Sequence, residues 1–112
     1  MGSLLSSSNS GNIDPMAQQF VRETIESDRV VIFSKSYCPY CTTAKKQFKK
    51  LNQDYLTIEL DGRPDCQAIQ NVLGEMTGAK TVPRVFIDGN FIGGGDDCKR
   101  LYENGQLEKM LA

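Results

Sequence analysis

The feature that most constrains this chain is a pair of cysteines, Cys38 and Cys41, separated by two residues. The apolar run Val-Val-Ile-Phe at residues 30–33 comes shortly before the pair and is typical of a strand that is buried on both faces. Residues 39–51 follow Cys38, have helical composition and carry an apolar stripe at helical spacing. The sequence therefore predicts a strand that leads into a helix at the cysteine pair.

Elementary helix chemistry places the first cysteine in a reactive position. With Cys38 as the N-cap, Pro39 becomes the first helical residue, where its missing N–H group costs nothing. The sulfur of Cys38 would then face the N–H groups of Tyr40 and Cys41 at the positive end of the helix dipole, and Lys35 could add positive charge. These groups favour the thiolate, which is the nucleophilic form. Cys41 lies one turn further on and can close a disulfide with Cys38, so the motif predicts a thioredoxin-like redox site.

Two structural explanations of the cysteine pair are weaker than the redox explanation. A disulfide across so short a loop would constrain the unfolded chain very little. A structural zinc site needs about four ligands, whereas the chain has no histidine and no second Cys-x-x-Cys motif, so we expect no bound metal. A secreted domain stapled by disulfides would be shorter or richer in cysteine than this chain, which has four. We therefore expect a reducing compartment, the cytoplasm.

The length and net charge of the chain limit the kinds of protein to which it can belong. The 112 residues allow one domain, which we place at residues 13–112. The formal net charge of −1 gives no reason to expect a nucleic-acid partner, and no apolar run is long enough to span a bilayer. Residues 1–12 are polar and rich in serine, which predicts a disordered tail. Met1, Gly2 and Ser6 also fit a myristoylation pattern, which would anchor the chain only weakly; a disordered leader or a processed remnant is the alternative.

The rest of the chain alternates helix and strand signals. A helix opened by Asp14 and Pro15 is predicted before the strand at 30–33. A strand is predicted at residues 56–60, followed by a helix from Pro64 or Asp65 to Gly78, whose inward-facing residues are Ile69, Val72, Leu73 and Met76. The later elements are strands at 84–87 and 90–93 joined by an Asp88-Gly89 turn, a helix capped by Asp96 or Asp97, and a docking turn with Leu107, Met110 and Leu111. This order predicts an α/β fold with a four-stranded mixed sheet flanked by helices on both faces.

Four separated pieces of the sequence resemble one family. They are Lys35 with the Cys-Pro-Tyr-Cys sequence at 38–41, then Thr81-Val82-Pro83, then Gly93-Gly94, and then Asp96-Asp97. In this order and at these spacings they resemble the dithiol glutaredoxins of the Cys-Pro-Tyr-Cys type over about residues 15–112, and the hairpin has some likeness to the vertebrate glutaredoxin-2 branch. The resemblance implies a thioredoxin-like fold and the glutathione-dependent reduction of protein–glutathione mixed disulfides and protein disulfides.

The resemblance also implies roles for individual residues. Cys38 would be the nucleophile, Cys41 would resolve protein disulfides, and Pro83 would be a cis-proline beside them. The residues implied to bind glutathione are Lys35, Tyr40, Gln70, Thr81, Val82, Pro83, Asp96 and Asp97. A helix start at Asp96-Asp97 suits the γ-glutamyl carboxylate, although plain helix capping explains the same pair. For Lys35, the alternative is a solvated surface charge.

The implied partners are glutathione as co-substrate, glutathionylated and disulfide-containing proteins, and indirectly glutathione reductase, with the chain acting as a monomer. One alternative function is that of an iron–sulfur cluster carrier with glutathione as a ligand, which Pro39 disfavours because the cluster-binding vertebrate members resemble Cys-Ser-Tyr-Cys. Another is a redox-inert binding module, or one domain of a larger fusion. For the remaining cysteines, Cys66 and Cys98, we expect core filler or idle surface thiols, and glutathionylation of Cys98 at a helix start is the alternative.

Overall fold

The computed structural model describes residues 13–112. The predicted disordered tail at 1–12 and the myristoylation pattern at Gly2 lie outside the described residues. The elements in chain order are α1 Pro15–Ser27, β1 Val30–Ser34, α2 Pro39–Lys50, β2 Leu56–Glu59, α3 Cys66–Thr77, β3 Arg84–Ile87, β4 Asn90–Gly93, α4 Gly95–Glu103 and α5 Gln106–Leu111. Every predicted helix and strand is therefore present, and no helix in this part of the chain is long and apolar enough to cross a membrane.

The four strands form one mixed sheet in the order β2-β1-β3-β4. β1 pairs in parallel with β2, and the β1–β3 and β3–β4 pairs are antiparallel. The turn between β3 and β4 has φ of +52° at Asp88 and +81° at Gly89. Two consecutive left-handed residues are typical of a type I′ turn, whose twist matches that of the strands it joins. The mixed sheet and its hairpin confirm the predicted architecture.

The core lies on both faces of this sheet. All five residues of β1 are buried, as the apolar run predicts, and its four apolar residues alternate between the two layers. One layer packs α1 and α3 against the sheet through Ala17, Val21, Ile25, Val31, Phe33, Leu60, Ile69, Val72, Leu73 and Phe86. The other packs α2, α4 and α5 through Val30, Ile32, Ala44, Phe48, Val85, Ile87, Cys98 and Leu107. The packing of α4 on α2 brings the start of α4 next to the cysteine pair.

Three local predictions are wrong. Met76 is 43% exposed and Met110 is 37% exposed, because each lies in the last turn of its helix, beyond the buried residues of that helix. The N-cap of α4 is Gly94 rather than Asp96 or Asp97. The Asp97 carboxylate instead accepts a hydrogen bond from the Gly94 N–H group at 2.9 Å, so the helix start is capped from its third residue.

Candidate active site

The cysteine pair lies where β1 gives way to α2. Cys38 is the N-cap of α2, with extended backbone angles, and Pro39 is the first helical residue. The Cys38 sulfur is half-buried and accepts a hydrogen bond from the Cys41 N–H group at 3.2 Å. The sequence predicts that the N–H groups of Tyr40 and Cys41 face the sulfur, and the Cys41 N–H group is the one that makes this bond. A sulfur in this position is directed at the start of the helix, where negative charge is favoured.

The second cysteine has a different environment from the first. Cys41 is fully buried, and burial and the neighbouring Cys38 raise the pKa of its thiol to about 11. The Lys35 backbone and the Ser34 hydroxyl act in the opposite direction, lowering the pKa of Cys41, but burial prevails. A buried thiol that stays protonated at neutral pH attacks slowly, because the thiolate is the reactive form. The geometry therefore makes Cys38 the attacking group and Cys41 a slower second thiol.

The loop before Cys38 is held by a carboxylate that sequence reasoning missed. Asp61 accepts a hydrogen bond from the Ser36 N–H group at 2.9 Å and another from the Ser36 hydroxyl. These two bonds, with a smaller contribution from the Lys35 charge, hold the pKa of Asp61 below its usual range. The sequence could have indicated this contact, because Ser36 follows β1 and Asp61 follows β2. These two strands are parallel neighbours, and the segments that follow such strands meet at one edge of the sheet.

A groove of about 410 Å³ lies beside the cysteine pair. It is lined by Tyr40, Thr81, Val82, Pro83, Arg84, Gly94, Gly95, Asp96 and Asp97. The Val82-Pro83 peptide bond is cis, as the family resemblance implies, and the Cys38 sulfur lies 3.7 Å from the Val82 carbonyl oxygen. The structure thus brings six of the eight predicted glutathione-binding residues to one groove, and one of its lining residues, Val82, contacts the Cys38 sulfur.

Comparison with known proteins identifies the family. The family model described as Glutaredoxin matches residues 30–92, which is more than half of the chain. This chain belongs to the glutaredoxin family. It is 53% identical to Glutaredoxin-C4 of Arabidopsis thaliana, over 82% of this chain and 68% of that protein. It is 44% identical to the mitochondrial Glutaredoxin-2 of Pongo abelii, over 94% of this chain and 65% of that protein. A crystal structure of a buckwheat glutaredoxin–glutathione complex matches with a TM-score of 0.82 and 46% identity, covering 86% of this chain and 87% of that one.

These matches confirm the thioredoxin-like fold and the predicted class of activity. This glutaredoxin is a glutathione-dependent thiol–disulfide oxidoreductase, with the Cys-x-x-Cys spacing of the dithiol type at Cys38 and Cys41. No observation favours the alternative of an iron–sulfur carrier. Within residues 13–112, no group of three or more histidine, cysteine, aspartate or glutamate side chains is arranged so that it could hold a metal ion.

Two predicted glutathione-binding residues of this glutaredoxin lie outside the lining of the groove. The Lys35 carbonyl accepts a hydrogen bond from the Cys38 N–H group at 3.2 Å, which places Lys35 in the active-site loop. The Gln70 side-chain amide donates to the Lys80 carbonyl at 2.8 Å, and its oxygen accepts from the Cys66 sulfur at 3.3 Å. The roles of Lys35 and Gln70 toward glutathione stay predictions.

The two acidic residues at the start of α4, Asp96 and Asp97, have different environments. The Asp97 carboxylate accepts from the Gly94 N–H group at 2.9 Å and pairs with Arg100 at 3.1 Å, while Asp96 is exposed. The bond from Gly94 is the main reason that the pKa of Asp97 lies below its usual range, with Arg100 and Arg84 contributing charge. Asp97 therefore caps the helix, and Asp96 is the member of the pair whose carboxylate faces solvent.

The other two cysteines also differ from each other. Cys98 is fully buried between α2 and α4, and burial, together with the Asp97 charge, raises the pKa of its thiol to about 12. The alternative of a reactive Cys98 at a helix start is therefore wrong, and the thiol fills the core. Cys66 is half-buried and is the first residue of α3.

Proposed function

We propose that this glutaredoxin reduces protein–glutathione mixed disulfides, and more slowly protein disulfides, with Cys38 as nucleophile and Cys41 as resolving thiol. The observation that carries the proposal is the position of the Cys38 sulfur, which accepts from the Cys41 N–H group and lies 3.7 Å from the carbonyl oxygen of Val82, a residue that lines the groove. A nucleophile at the end of a groove can attack the sulfur of a ligand that lies along the groove.

The first half-reaction transfers glutathione to the enzyme. The Cys38 thiolate attacks the glutathione sulfur of the mixed disulfide, so that a Cys38–glutathione bond forms and the substrate disulfide breaks. The substrate protein leaves as a thiolate and takes up a proton. A second glutathione thiolate then attacks the bound glutathione sulfur, which forms glutathione disulfide and returns Cys38 as thiolate. The net reaction consumes one glutathione thiol for each mixed disulfide that is reduced, and the glutathione disulfide contains that glutathione and the one that the substrate carried.

A protein disulfide follows a different second step. Attack by Cys38 leaves a mixed disulfide between Cys38 and the substrate protein, and Cys41 then attacks the Cys38 sulfur. The Cys38–Cys41 disulfide forms, the second substrate thiol is released, and two glutathiones restore the dithiol. Burial of Cys41 supports the idea that this route is the slower one.

For the ligand, we propose an extended glutathione in the groove. The backbone of Thr81 and Val82 would pair with the cysteinyl unit in a strand-like manner, next to the cis-proline Pro83 and the Tyr40 side chain. The N–H groups at the start of α4 would receive the γ-glutamyl carboxylate, and the carboxylates of Asp96 and Asp97 would meet the γ-glutamyl ammonium. The glycyl carboxylate would be met by Lys35 and by the second N–H of the Gln70 amide, whose first N–H donates to the Lys80 carbonyl. The buckwheat glutaredoxin–glutathione complex supports glutathione as the ligand.

The proposed setting is a monomer in the cytoplasm, where glutathione reductase regenerates glutathione. A supply of reduced glutathione is what the second half-reaction needs, and this requirement supports a reducing compartment. Myristoylation at Gly2, if the cell performs it, would add only weak membrane affinity, since one such chain binds marginally.

A coupled assay tests the proposal. The purified protein is given hydroxyethyl disulfide, glutathione, glutathione reductase and NADPH, and we expect NADPH consumption only when glutathione is present. Cys38→Ser should abolish all activity. Cys41→Ser should retain activity on a glutathionylated peptide and lose most activity on a protein disulfide, and Cys66→Ser is the matched control that should behave as wild type. Equal turnover with thioredoxin reductase in the absence of glutathione would contradict the proposal.

A further inference from the structure

One side chain in the groove has no role in the chemistry described above. Arg84 follows the cis-proline directly and is the first residue of β3. Its Nε–H donates to the Pro83 carbonyl at 3.1 Å, and its Nη1–H donates to the Thr77 hydroxyl at 3.3 Å. Its guanidinium carbon lies 4.9 Å from the centre of the Phe91 ring. Arg84 thus joins the cis-proline segment, the end of α3 and the strand β4.

The same guanidinium also reaches the opposite wall of the groove. A Cβ placed on Gly94 would lie 3.5 Å from Arg84 Nη2 and 3.5 Å from the Pro83 carbonyl oxygen, so these three groups are in close proximity. The Arg84 charge contributes to keeping Asp97 ionised, and the Asp97 charge in turn offsets part of the burial cost of Arg84. The guanidinium therefore lies between the Pro83 wall and the Gly94–Asp97 wall.

The geometry points to Arg84 as a positioning residue that sets the spacing between the two walls of the glutathione groove. This inference rests on the proposed glutathione site. A planar guanidinium presents its N–H groups in a fixed fork and uses two nitrogens for the Pro83 carbonyl and the Thr77 hydroxyl, whereas a lysine would have to serve both from one nitrogen on a flexible stem. Because Arg84 does not contact the Cys38 sulfur, its loss should weaken glutathione binding and leave the chemistry at Cys38 unchanged.

Arg84→Met, Arg84→Lys and Arg100→Met form a matched set of variants. Arg84→Met keeps an unbranched stem over Phe91 and removes the charge and every donor, whereas Arg84→Lys keeps the charge without the fork. Arg100→Met removes the arginine that forms an ion pair with Asp97, at 3.1 Å, from a side chain that is 63% exposed. It therefore controls for the loss of positive charge beside Asp97.

The variants are compared by KM and kcat for a glutathionylated peptide and by competitive inhibition with S-methylglutathione, which has no thiol to react. For Arg84→Met we expect KM and the inhibition constant to rise about tenfold, because a displaced wall would lose roughly one hydrogen bond to glutathione. The kcat and the rate of Cys38 alkylation by iodoacetamide should stay within about twofold of wild type. Arg84→Lys should raise KM about threefold, and Arg100→Met should leave KM unchanged.

Several results would overturn the inference. A wild-type KM in Arg84→Met, or a loss of kcat and of Cys38 alkylation as large as the change in KM, would make Arg84 an ordinary structural residue. If Arg84→Met does not fold, Arg84→Lys tests the inference instead. A wild-type KM in that folded variant would exclude a role for the planar guanidinium in positioning the groove. Failure of the proposed function itself is recognised separately, since the wild-type protein would then show no glutathione-dependent turnover.

Discussion

The burial of Cys41 predicts how the internal disulfide forms as a function of pH. With a thiol pKa of about 11, only about one Cys41 in ten thousand is a thiolate at pH 7. The thiolate population grows tenfold for each pH unit below the pKa, so closure of the Cys38–Cys41 disulfide should accelerate by the same factor. When Cys38 carries glutathione, its own charge no longer acts on Cys41, but burial, the main cause of the raised pKa, remains.

The assay starts from the wild-type protein with glutathione already on Cys38, prepared at acidic pH where Cys41 does not attack. The protein is transferred to buffers at a series of pH values between about 6 and 9, and samples are quenched with acid at successive times. Mass spectrometry then gives the fraction of protein that still carries the glutathione adduct. The logarithm of the closure rate should rise with a slope of about one over this whole range, because the pKa of Cys41 lies above it. Cys66→Ser should give the same slope as wild type.

Cys41→Ser supplies the comparison. Its adduct should be stable until glutathione is added, and release by glutathione should level off above about pH 8.5, where an ordinary thiol is mostly ionised. A closure rate in the wild type that is constant between about pH 6 and 9, or that levels off together with the glutathione reaction, would refute the raised pKa of Cys41. It would also remove the reason to regard protein-disulfide reduction as the slower route.

Two further predictions concern stability and thiol exposure. Gly89 and Gly93 both have left-handed φ, +81° and +131°, but an added Cβ meets nothing within 4 Å at Gly89 and overlaps the Asp97 side chain at Gly93. Gly89→Ala should therefore lower the free energy of unfolding by about 1 kcal/mol, and Gly93→Ala should lower it by roughly 2–4 kcal/mol. Urea denaturation measures both values, and equal losses would contradict the contact with Asp97. Cys98, fully buried and with a pKa raised to about 12, should resist iodoacetamide in the native protein and react only after denaturation, as peptide mapping would show; modification before unfolding would contradict its place in the core.

Local signals in the sequence were sufficient for the elements and for the reactive cysteine. The apolar run at 30–33 predicted a strand buried on both faces because only such a strand can place every side chain in a core. Pro39 after Cys38 predicted the helix start, and Asp88-Gly89 predicted the turn, because these residues act through their own backbone angles. Each of these signals depends on atoms a few residues apart, so the amino-acid sequence by itself determined them.

The tertiary structure decided which residues meet across the chain. Asp61 holds Ser36, and Arg84 reaches Thr77, through hydrogen bonds that exist only once the strands have paired and α3 has packed. Cys98 follows an acidic pair at a helix start, a position that locally suggests a reactive thiol, yet the packing of α4 on α2 buries it completely. Burial removes water from a thiol and disfavours its charged form, and this effect outweighs the helix start. Long-range packing of this kind leaves no short-range pattern, which is why the reactivity of Cys98 could be assigned only from the folded chain.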